Sequence, residues 1–463
     1  MNTETLLQAL ITLLGEPGLL RGEDIGPRYF EDVLGACTTR PLAVLRPADT
    51  AQVSAALRLC HQSGMPIVTQ GGRTGLAQGQ LPRAGELVLS LERMNAIEVV
   101  DEDGGTATVQ AGVVLQALQD RLEPMGLTFP LDLGARGSCT VGGNIATNAG
   151  GNRVIRHGMT RDLVVGLEAV LADGTVLDGL TTVLKNNTGL DLKQLFIGSE
   201  GVYGVITRAV LRLAPLPAGR GVALCTVAGF DQVRALLRHL RAQLGGELSA
   251  FEVLWPSYCE QAAALLPQAP SIARTPGFCV LTEASGPDAP RLVAALEAAL
   301  HAALEQGLVG DAVVAQSGAE ASKLWQMRDM AIEVCRRIDP IVPFDVSVAI
   351  ADMPAFTEAL DRACAAIDPR CRTIVFGHVG DGNLHLAVHA PPVLPGAFMA
   401  VERAVYALVG RFRGSVSAEH GIGWLKREFL PHTRSAAEVA TMRTIKLALD
   451  PRRILNRNRI FEA

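Results

Sequence analysis

Two histidines stand seven residues apart in the segment FGHVGDGNLHLAV, residues 376–388, on either side of an Asp-Gly pair. On one straight strand, side chains seven apart point to opposite faces, so the imidazoles can meet only if the chain reverses between them. Asp-Gly between alternating apolar residues indicates a β-hairpin, because both central turn positions favour positive φ. A turn at Asp381-Gly382 predicts that His378 lies directly opposite His385 on one face of a sheet.

A Glu-His pair in SAEHGIGW, residues 417–424, adds two further reactive side chains. His378, His385 and Glu419 are ligand types for a divalent ion that keeps open coordination positions. The alternative is that both histidines are core residues and the glutamate is solvated. Such an ion is a Lewis acid that would make a hydroxyl group bound to it more acidic. His420, with an imidazole that is neutral near pH 7, could then accept the hydroxyl proton.

Two other segments are rich in small residues, PIVTQGGRTGLAQGQ at 66–80 and PLDLGARGSCTVGGNIATNAGGNRVIRHG at 130–158. Glycine permits positive φ and lets the backbone approach a ligand closely, with N–H groups turned toward anionic oxygens. The alternative for the shorter segment is an ordinary surface loop, whereas the longer one exceeds the usual length of a non-functional loop. Neither segment contains G-x-G-x-x-G or a Walker sequence, which argues against a Rossmann or nucleoside-triphosphatase site.

Composition narrows the class of protein. The chain has 463 residues, 48% of them hydrophobic and 4% aromatic, with 47 glycines and a net charge of −5, which favours two or three globular domains and argues against nucleic acid as a partner. Nine scattered cysteines without a C-x-x-C pair argue against an iron–sulfur cluster or a cysteine zinc site. With no signal peptide and no apolar run of about 20 residues, we expect no transmembrane segment and a cytoplasmic protein. The composition is compatible with peripheral attachment to the inner membrane and with the formation of a homodimer.

The elements that must position these residues follow a mixed α/β pattern. PLAVLRP, TAQVSAALRLCHQSG and MPIVTQGG predict a strand, a helix and a strand over residues 41–72, which is a βαβ unit. The proline- and glycine-rich stretch at 211–221 predicts a domain boundary. Beyond it, strand, helix, strand, strand and helix patterns predict an antiparallel sheet with helices on one face. The fold class is therefore expected to be α+β.

The glycine-rich segments, together with GSEGVYGVIT at 198–207, resemble in order the flavin-binding segments of the FAD-linked oxidase superfamily, which has the vanillyl-alcohol oxidase and p-cresol methylhydroxylase fold. The resemblance implies a two-part FAD-binding domain of the p-cresol methylhydroxylase type at 1–217. Its N-terminal segment at 1–20, MNTETLLQALITLLGEPGLL, has the pattern of an amphipathic helix that ends at Gly15-Glu16-Pro17. It further implies an α+β substrate domain with an antiparallel sheet at 218–415 and a C-terminal helical segment at 416–463 that returns to the flavin site. The implied cofactor contacts are Pro66, Gly71, Gly72, Arg73, Thr74, Gly75, Leu76, Pro130, Gly137, Ser138, Thr140, Gly142, Gly143, Asn144, Thr147, Asn148, Gly151, Gly158, Gly204, Ile206 and Asn456.

The mode of flavin attachment also follows from the resemblance. Some relatives link the flavin to a histidine in the first of these loops, and the loop at 66–80 contains none. We therefore expect non-covalent FAD, with attachment through Cys139 as the alternative.

GHVGDGNLH followed by AEHGIG resembles the D-2-hydroxy-acid dehydrogenase branch of that superfamily, which oxidises D-lactate, D-2-hydroxyglutarate or glycolate. The resemblance implies a divalent metal, Zn or Mn, on His378, His385 and Glu419, and His420 as the catalytic base. LWQMRDMAIE resembles the helix whose arginine pairs with the substrate carboxylate, which implies Arg328; the alternative is a surface arginine paired with a neighbouring acid. The implied substrate contacts are Arg328, His378, His385 and Asn383.

The same resemblance implies a reaction and its partners. Hydride from C2 of D-2-hydroxyglutarate, D-lactate or D-malate would pass to the flavin and leave a 2-oxo acid, and an external protein or quinone would take the electrons. Two alternatives stay open, namely a flavoprotein subunit of a glycolate-oxidase-like complex and a non-redox transferase of the same fold like the alkyl-dihydroxyacetonephosphate synthases.

Several positions depart from the pattern of the 2-hydroxyglutarate enzymes. Ile332 and Pro343 stand where those enzymes carry a threonine and a lysine that hold substrate, and Ala387 replaces an asparagine. Because residues two apart on a strand share a face, Ala387 is expected beside His385, with a polar contact to substrate lost. The C-terminal ILNRNR keeps Asn456 but lacks the usual Pro-Gly turn.

Overall fold

The computed structural model describes residues 2–33, 35–266, 269–391 and 396–462. Within these ranges the β-strands are β1 (Leu19–Leu20), β2 (Val44–Leu45), β3 (Ile67–Gln70), β4 (Leu87–Ser90), β5 (Ile97–Asp101), β6 (Thr106–Gln110), β7 (Leu127–Thr128), β8 (Val164–Val170), β9 (Val176–Gly179), β10 (Val205–Arg212), β11 (Ala214–Pro215), β12 (Gly219–Val227), β13 (Leu248–Leu254), β14 (Phe278–Gly286), β15 (Asp311–Val314), β16 (Ile341–Ser347), β17 (Arg372–Gly377) and β18 (Asn383–His389).

The α-helices in the same ranges are α1 (Thr3–Leu14), α2 (Thr50–Ser63), α3 (Leu115–Leu122), α4 (Val141–Thr147), α5 (Val154–His157), α6 (Thr160–Leu163), α7 (Lys193–Phe196), α8 (Phe230–Leu244), α9 (Pro256–Leu265), α10 (Ala289–Glu305), α11 (Gly318–Asp329), α12 (Ala331–Arg337), α13 (Met353–Ile367), α14 (Ala397–Arg411) and α15 (Ala436–Leu449). Helix α1, within the segment 1–20, ends at the predicted stop, because Gly15 takes a φ of 71° and Pro17 follows. Met1 lies outside the described residues.

The chain divides into two compact units. The first comprises Met1–Gly151, Gly158–Pro215 and Glu419–Ala463, and the second comprises Asn152–His157 and Leu216–Ala418. The glycine-rich segments and the AEHGIG motif from Glu419 onward thus belong almost entirely to the first unit, and the paired histidines belong to the second.

The first unit contains two main sheets. One has the order β1-β2-β4-β3, in which β2, β4 and β3 run parallel, and the other is antiparallel with the order β5-β6-β10-β8-β9. The predicted βαβ unit is present, with β4 inserted between β2 and β3. Its helix α2 starts where the Asp49 side chain accepts from the Gln52 N–H, and it ends at Gly64, which is left-handed with a φ of 69°.

The C-terminal stretch continues the edge of the first sheet beyond β3. The Ile67 N–H donates to the Ile454 oxygen at 2.8 Å, and the Asn456 N–H donates to the Ile67 oxygen at 2.9 Å. Leu455 is fully buried in the same apolar core as Leu10 of α1. The end of the chain is therefore built into the first unit.

The second unit is organised around an antiparallel sheet with the order β15-β12-β14-β13-β17-β18-β16. The antiparallel sheet was predicted, but the placement of helices on one face was wrong. A side chain at Gly221 of β12 would meet Leu296 of α10, whereas the neighbouring Val222 packs with Tyr258 of α9 and Leu324 of α11. Because successive strand residues face opposite ways, helices cover both faces, as the long apolar run of a doubly buried strand indicates.

Candidate functional site

Strands β17 and β18 form the predicted hairpin, but in a different register. Phe376 pairs with His385, and residues 378–382 connect the two strands, so the connection is longer than a two-residue turn. The Asp381 carboxylate accepts from the Asn383 N–H at 3.3 Å. A two-residue type I′ turn requires a positive φ at both central residues. Gly382 has a φ of 91°, but Asp381 is not among the described residues with positive φ. The directly opposed pairing of the two histidines was therefore wrong.

The two imidazoles nevertheless converge, as predicted. The Nε2 atoms of His378 and His385 are 3.2 Å apart, and the ring centroids are 5.1 Å apart at an interplanar angle of 86°. His378 lies two residues beyond Phe376 on the same face, so it is a diagonal neighbour of His385, and diagonal neighbours are within reach of long side chains. The convergence is confirmed, although it arises from the diagonal rather than the direct pairing.

Glu252 on β13 is a functional candidate that the sequence analysis missed. Its Oε1 accepts from His378 Nδ1 at 2.5 Å, and its Oε2 accepts from Arg328 Nε at 3.1 Å. The residue is 1% exposed. Burial opposes its ionisation, but the charges and hydrogen bonds of His378 and Arg328 outweigh burial and hold the pKa of Glu252 at about 2. The available signal was a glutamate inside the apolar run LSAFEVLW, where an unpaired charge would be costly.

Arg328 lies near the end of α11, with a side chain that is 15% exposed. Its guanidinium carbon is 5.1 Å from the Phe376 ring centroid, and its Nη2 is 3.4 Å from His378 Nε2. The Tyr258 hydroxyl donates to the Arg328 carbonyl at 2.9 Å. Arg328 is therefore held beside the paired histidines and is not an open surface arginine, which was the alternative.

Asn383 and Asp345 lie on the other side of the histidine pair. Asn383 Nδ2 donates to Asp345 Oδ1 at 2.8 Å and to the Val346 oxygen at 3.1 Å. Asp345 Oδ1 is 3.9 Å from His385 Nδ1. Asn383 Oδ1 is buried and has no hydrogen-bond partner among the described residues. A buried acceptor of this kind suits a ligand that brings its own donor.

The donor set of the two histidines fits a divalent cation. Because Nδ1 of His378 is engaged by Glu252, Nε2 is the nitrogen that faces His385. Two ligand nitrogens at about 2.0–2.1 Å from one tetrahedral ion would be roughly 3.3 Å apart, close to the observed 3.2 Å. A direct N–H···N hydrogen bond has a similar separation, so the geometry fits either a cation or a proton between the rings.

A cleft in the first unit gathers the glycine-rich segments. The predicted cofactor residues that line it are Gly71, Gly72, Arg73, Thr74, Gly75, Thr140, Gly142, Gly143, Asn144, Thr147, Gly204, Ile206 and Asn456. His420, the predicted base, lines the same cleft. The predicted residues outside this lining are Pro66, Leu76, Pro130, Gly137, Ser138, Asn148, Gly151 and Gly158. The lining residues that sequence analysis missed are Thr69, Ala77, Gly79, Gln80, Leu91, Ala146, Glu200, Gly201 and Val205.

The cleft fits a polar, extended cofactor. A Cβ at Gly71 would come within 2.4 Å of Thr140 Oγ1, and one at Gly72 within 2.1 Å of the Ser138 oxygen. At Gly72 the wall is thus packed backbone against backbone, and at Gly71 it is packed against a threonine side chain. Glycine at both positions is what permits this close approach. Thr69 Oγ1 and Thr140 Oγ1 are buried without a hydrogen-bond partner among the described residues, so a bound ligand would satisfy them.

The loop that carries His420 is tied to the walls of this cleft. The half-buried Glu200 carboxylate accepts from the Ile422 N–H at 2.7 Å and from the Gly423 N–H at 2.8 Å. Burial raises the pKa of Glu200 to about 7 against these two hydrogen bonds. Asn456 Nδ2 donates to the Glu200 carbonyl at 2.6 Å. Asn456 therefore keeps a defined position without the Pro-Gly turn.

Replacing Gly72 with alanine should weaken FAD binding at least tenfold, because the new methyl group would overlap the Ser138 backbone, and a displaced loop loses contacts worth at least about 1.4 kcal/mol. The measurement is the FAD dissociation constant of the refolded or stripped protein, followed by flavin fluorescence. Gly134→Ala is the matched control, because a Cβ at Gly134, in the second glycine-rich segment, meets nothing within 4 Å. Equal FAD affinity in the two variants would contradict the prediction.

Comparison with known proteins identifies the family of this chain. The chain matches the families described as FAD binding domain over residues 41–179 and FAD linked oxidases, C-terminal domain, over residues 216–460. It is 41% identical to a D-2-hydroxyglutarate dehydrogenase of Xanthomonas citri pv. viticola, over 94% of this chain and 92% of the relative. It is also 40% identical to the mitochondrial D-2-hydroxyglutarate dehydrogenase of Bos taurus, over 89% of this chain and 75% of the relative.

Solved structures show the same fold at low identity. A p-cresol methylhydroxylase with bound substrate has a TM-score of 0.76 at 16% identity, covering 99% of this chain and 97% of the other. An alkyldihydroxyacetonephosphate synthase has a TM-score of 0.74 at 15% identity, covering 98% of this chain and 85% of the other. The predicted α+β class with a p-cresol methylhydroxylase-type FAD-binding domain is confirmed. In the described part of the chain, no helix has the length and apolar character needed to cross a membrane. The chain belongs to the FAD-linked oxidase family, and it is an FAD-dependent dehydrogenase that acts on a CH–OH group.

Proposed function

We propose that this enzyme oxidises a D-2-hydroxy acid to the 2-oxo acid, with D-2-hydroxyglutarate as the first candidate, and passes the electrons to an external protein or quinone. The observation that carries the proposal is the arrangement on the sheet of the second unit. There, one buried carboxylate, Glu252, holds both a guanidinium, Arg328, and an imidazole, His378, that faces His385. Relatives named D-2-hydroxyglutarate dehydrogenase support the choice of substrate class.

Each of these residues has a proposed task. Arg328 pairs with the substrate carboxylate, for which a guanidinium offers two donors in one plane. Asn383 offers a buried acceptor to a substrate hydroxyl. His420 accepts the hydroxyl proton at an imidazole nitrogen. Bound FAD supplies the two-electron acceptor for the hydride on C2.

We also propose a divalent ion, Zn or Mn, on His378 and His385, with Glu419 as the third ligand that the family resemblance implies. Such an ion would supply Lewis-acid stabilisation of the developing alkoxide. The chain's own contribution is to present both Nε2 atoms at the separation of two ligands, with His378 fixed by a carboxylate on its other nitrogen.

The three positions that depart from the 2-hydroxyglutarate pattern, Ile332, Pro343 and Ala387, have apolar side chains. Ile332 is 62% exposed and Ala387 is buried in an apolar cluster, while Pro343 on β16 is exposed. None of these side chains can hydrogen-bond to a second carboxylate. D-lactate and D-malate are therefore tested beside D-2-hydroxyglutarate.

We expect anaerobic addition of the correct D-2-hydroxy acid to bleach the oxidised-flavin absorbance of the purified protein, because hydride transfer reduces the flavin. The panel contains D-lactate, D-malate, D-2-hydroxyglutarate and glycolate, each with Zn²⁺ or Mn²⁺ present. The L enantiomers of the three chiral acids serve as controls and should leave the spectrum unchanged. A flavin that stays oxidised with every acid in the panel would overturn the proposed function.

A further inference from the structure

We propose that Glu252 is a positioning residue that fixes two groups of the substrate site at once, namely the ring orientation and tautomer of His378 and the guanidinium plane of Arg328. The inference rests on the proposed function, because it assigns those two groups to metal and substrate. It adds a residue that belongs to neither the ligand set nor the substrate contacts implied by resemblance.

Glu252 occupies a buried position in which a carboxylate is stable only when both of its oxygens have partners. It lies on β13, whose described residues are all buried, and continuing the register from Val253 and Gly377 places it opposite His378. A buried carboxylate without partners carries a desolvation cost of several kcal/mol. Here each carboxylate oxygen has its own partner, Oε1 on His378 and Oε2 on Arg328.

The first contact determines which nitrogen of His378 is available. A neutral imidazole has one N–H and one lone pair, and donation from Nδ1 to a carboxylate leaves the lone pair on Nε2. That nitrogen faces His385 at 3.2 Å. A carboxylate on the far nitrogen of a metal-binding histidine also raises its basicity and orients the ring.

The second contact restrains Arg328 in the same way. Glu252 Oε2 accepts from Nε at one edge of the guanidinium. The Phe376 ring covers one face of the guanidinium, with its centroid 5.1 Å from the guanidinium carbon. A plane held from two sides loses less entropy when it binds a carboxylate. One glutamate therefore couples the proposed metal ligand to the proposed substrate clamp.

Glu252→Gln separates these contacts from packing, because it keeps the size and shape of the side chain. An amide has one acceptor oxygen, so its NH₂ must face either Arg328 Nε–H or His378 Nδ1–H, and one of the two hydrogen bonds is lost. We expect a 10- to 100-fold weaker affinity for Zn²⁺, the range for loss of a partner that orients a metal ligand. Affinity is measured on FAD-loaded protein without substrate, by competition with a chromogenic chelator. KM for the substrate should rise while the flavin spectrum stays unchanged.

The matched control is Glu283→Gln. Glu283 is also fully buried, on the neighbouring strand β14, but its partners are Arg153, Trp325 and Ser249. Loss of its charge should lower the melting temperature without weakening Zn²⁺ binding. If both variants weaken Zn²⁺ binding equally, or if Glu252→Gln keeps the wild-type Zn²⁺ affinity and KM, the positioning role is wrong.

Two further arrangements keep the test decisive. Should Glu252→Gln not fold, Glu252→Asp retains the charge but is one methylene too short to reach both partners, and it should show the same two losses. The Zn²⁺ measurement does not depend on turnover, so it stands even if no acid in the panel bleaches the flavin. Wild-type protein that binds no Zn²⁺ would show that Glu252 does not position a metal ligand. An unchanged KM in Glu252→Gln would then show that it does not position the substrate-binding Arg328 either.

Discussion

Replacing His420 with asparagine should leave FAD bound but slow its reduction by the D-2-hydroxy acid about 10²- to 10⁴-fold, the usual contribution of a general base. Asparagine keeps hydrogen-bonding capacity near the cleft that His420 lines, but its amide cannot take up a proton. The measurement is the rate of flavin bleaching in an anaerobic stopped-flow experiment, with FAD content taken from the absorbance before mixing.

His432→Asn is the matched control, because His432 is exposed and stacks on Phe429 with ring centroids 6.4 Å apart. It should be reduced at the wild-type rate. A wild-type rate in His420→Asn would show that His420 is not the base. Loss of FAD from that variant would instead assign His420 a structural role in the loop that Glu200 holds.

Local patterns in the sequence predicted the parts of the structure that local physics determines. Helix α2 was predicted from the helical pattern of TAQVSAALRLCHQSG, and in the structure an Asp cap and a left-handed glycine delimit it. The convergence of His378 and His385 followed from a chain reversal between them. The observed register differs from the predicted one by two residues, and an even shift keeps both side chains on one face. The glycine-rich walls of the cleft were predicted because only glycine tolerates an approach such as that of Gly72 to Ser138.

The remainder depends on contacts between distant parts of the chain. The hairpin register was missed because Asp381 keeps a negative φ and uses its carboxylate to hold the loop. Glu252 was missed because its partner His378 is 126 residues away, and an apolar strand pattern does not indicate what its one charged residue faces. Glu200 was missed for the same reason, since its carboxylate binds the N–H groups of Ile422 and Gly423.

His385→Ala should lower the rate of flavin reduction about 10²- to 10³-fold and remove its dependence on added metal. The proposed ion would contribute several kcal/mol through its charge, and each 1.36 kcal/mol is a factor of ten in rate. One of two Nε2 atoms that lie 3.2 Å apart is lost in the variant, and the remaining imidazole is a weak site alone. The measurement is the bleaching rate after treatment with EDTA and after addition of Zn²⁺ or Mn²⁺.

His389→Ala provides the control on the same strand, because His389 Nδ1 is bonded to the Ile338 carbonyl at 2.6 Å, away from the histidine pair. It should keep the full metal-dependent rate. EDTA treatment of the wild-type protein also decides whether a cation or a proton lies between the rings of His378 and His385. A hydrogen bond predicts that EDTA leaves wild-type reduction unchanged, whereas a bound ion predicts loss on chelation and recovery when metal is returned. Wild-type reduction that survives exhaustive chelation would therefore exclude the metal, and His385 would then act by orienting His378 alone.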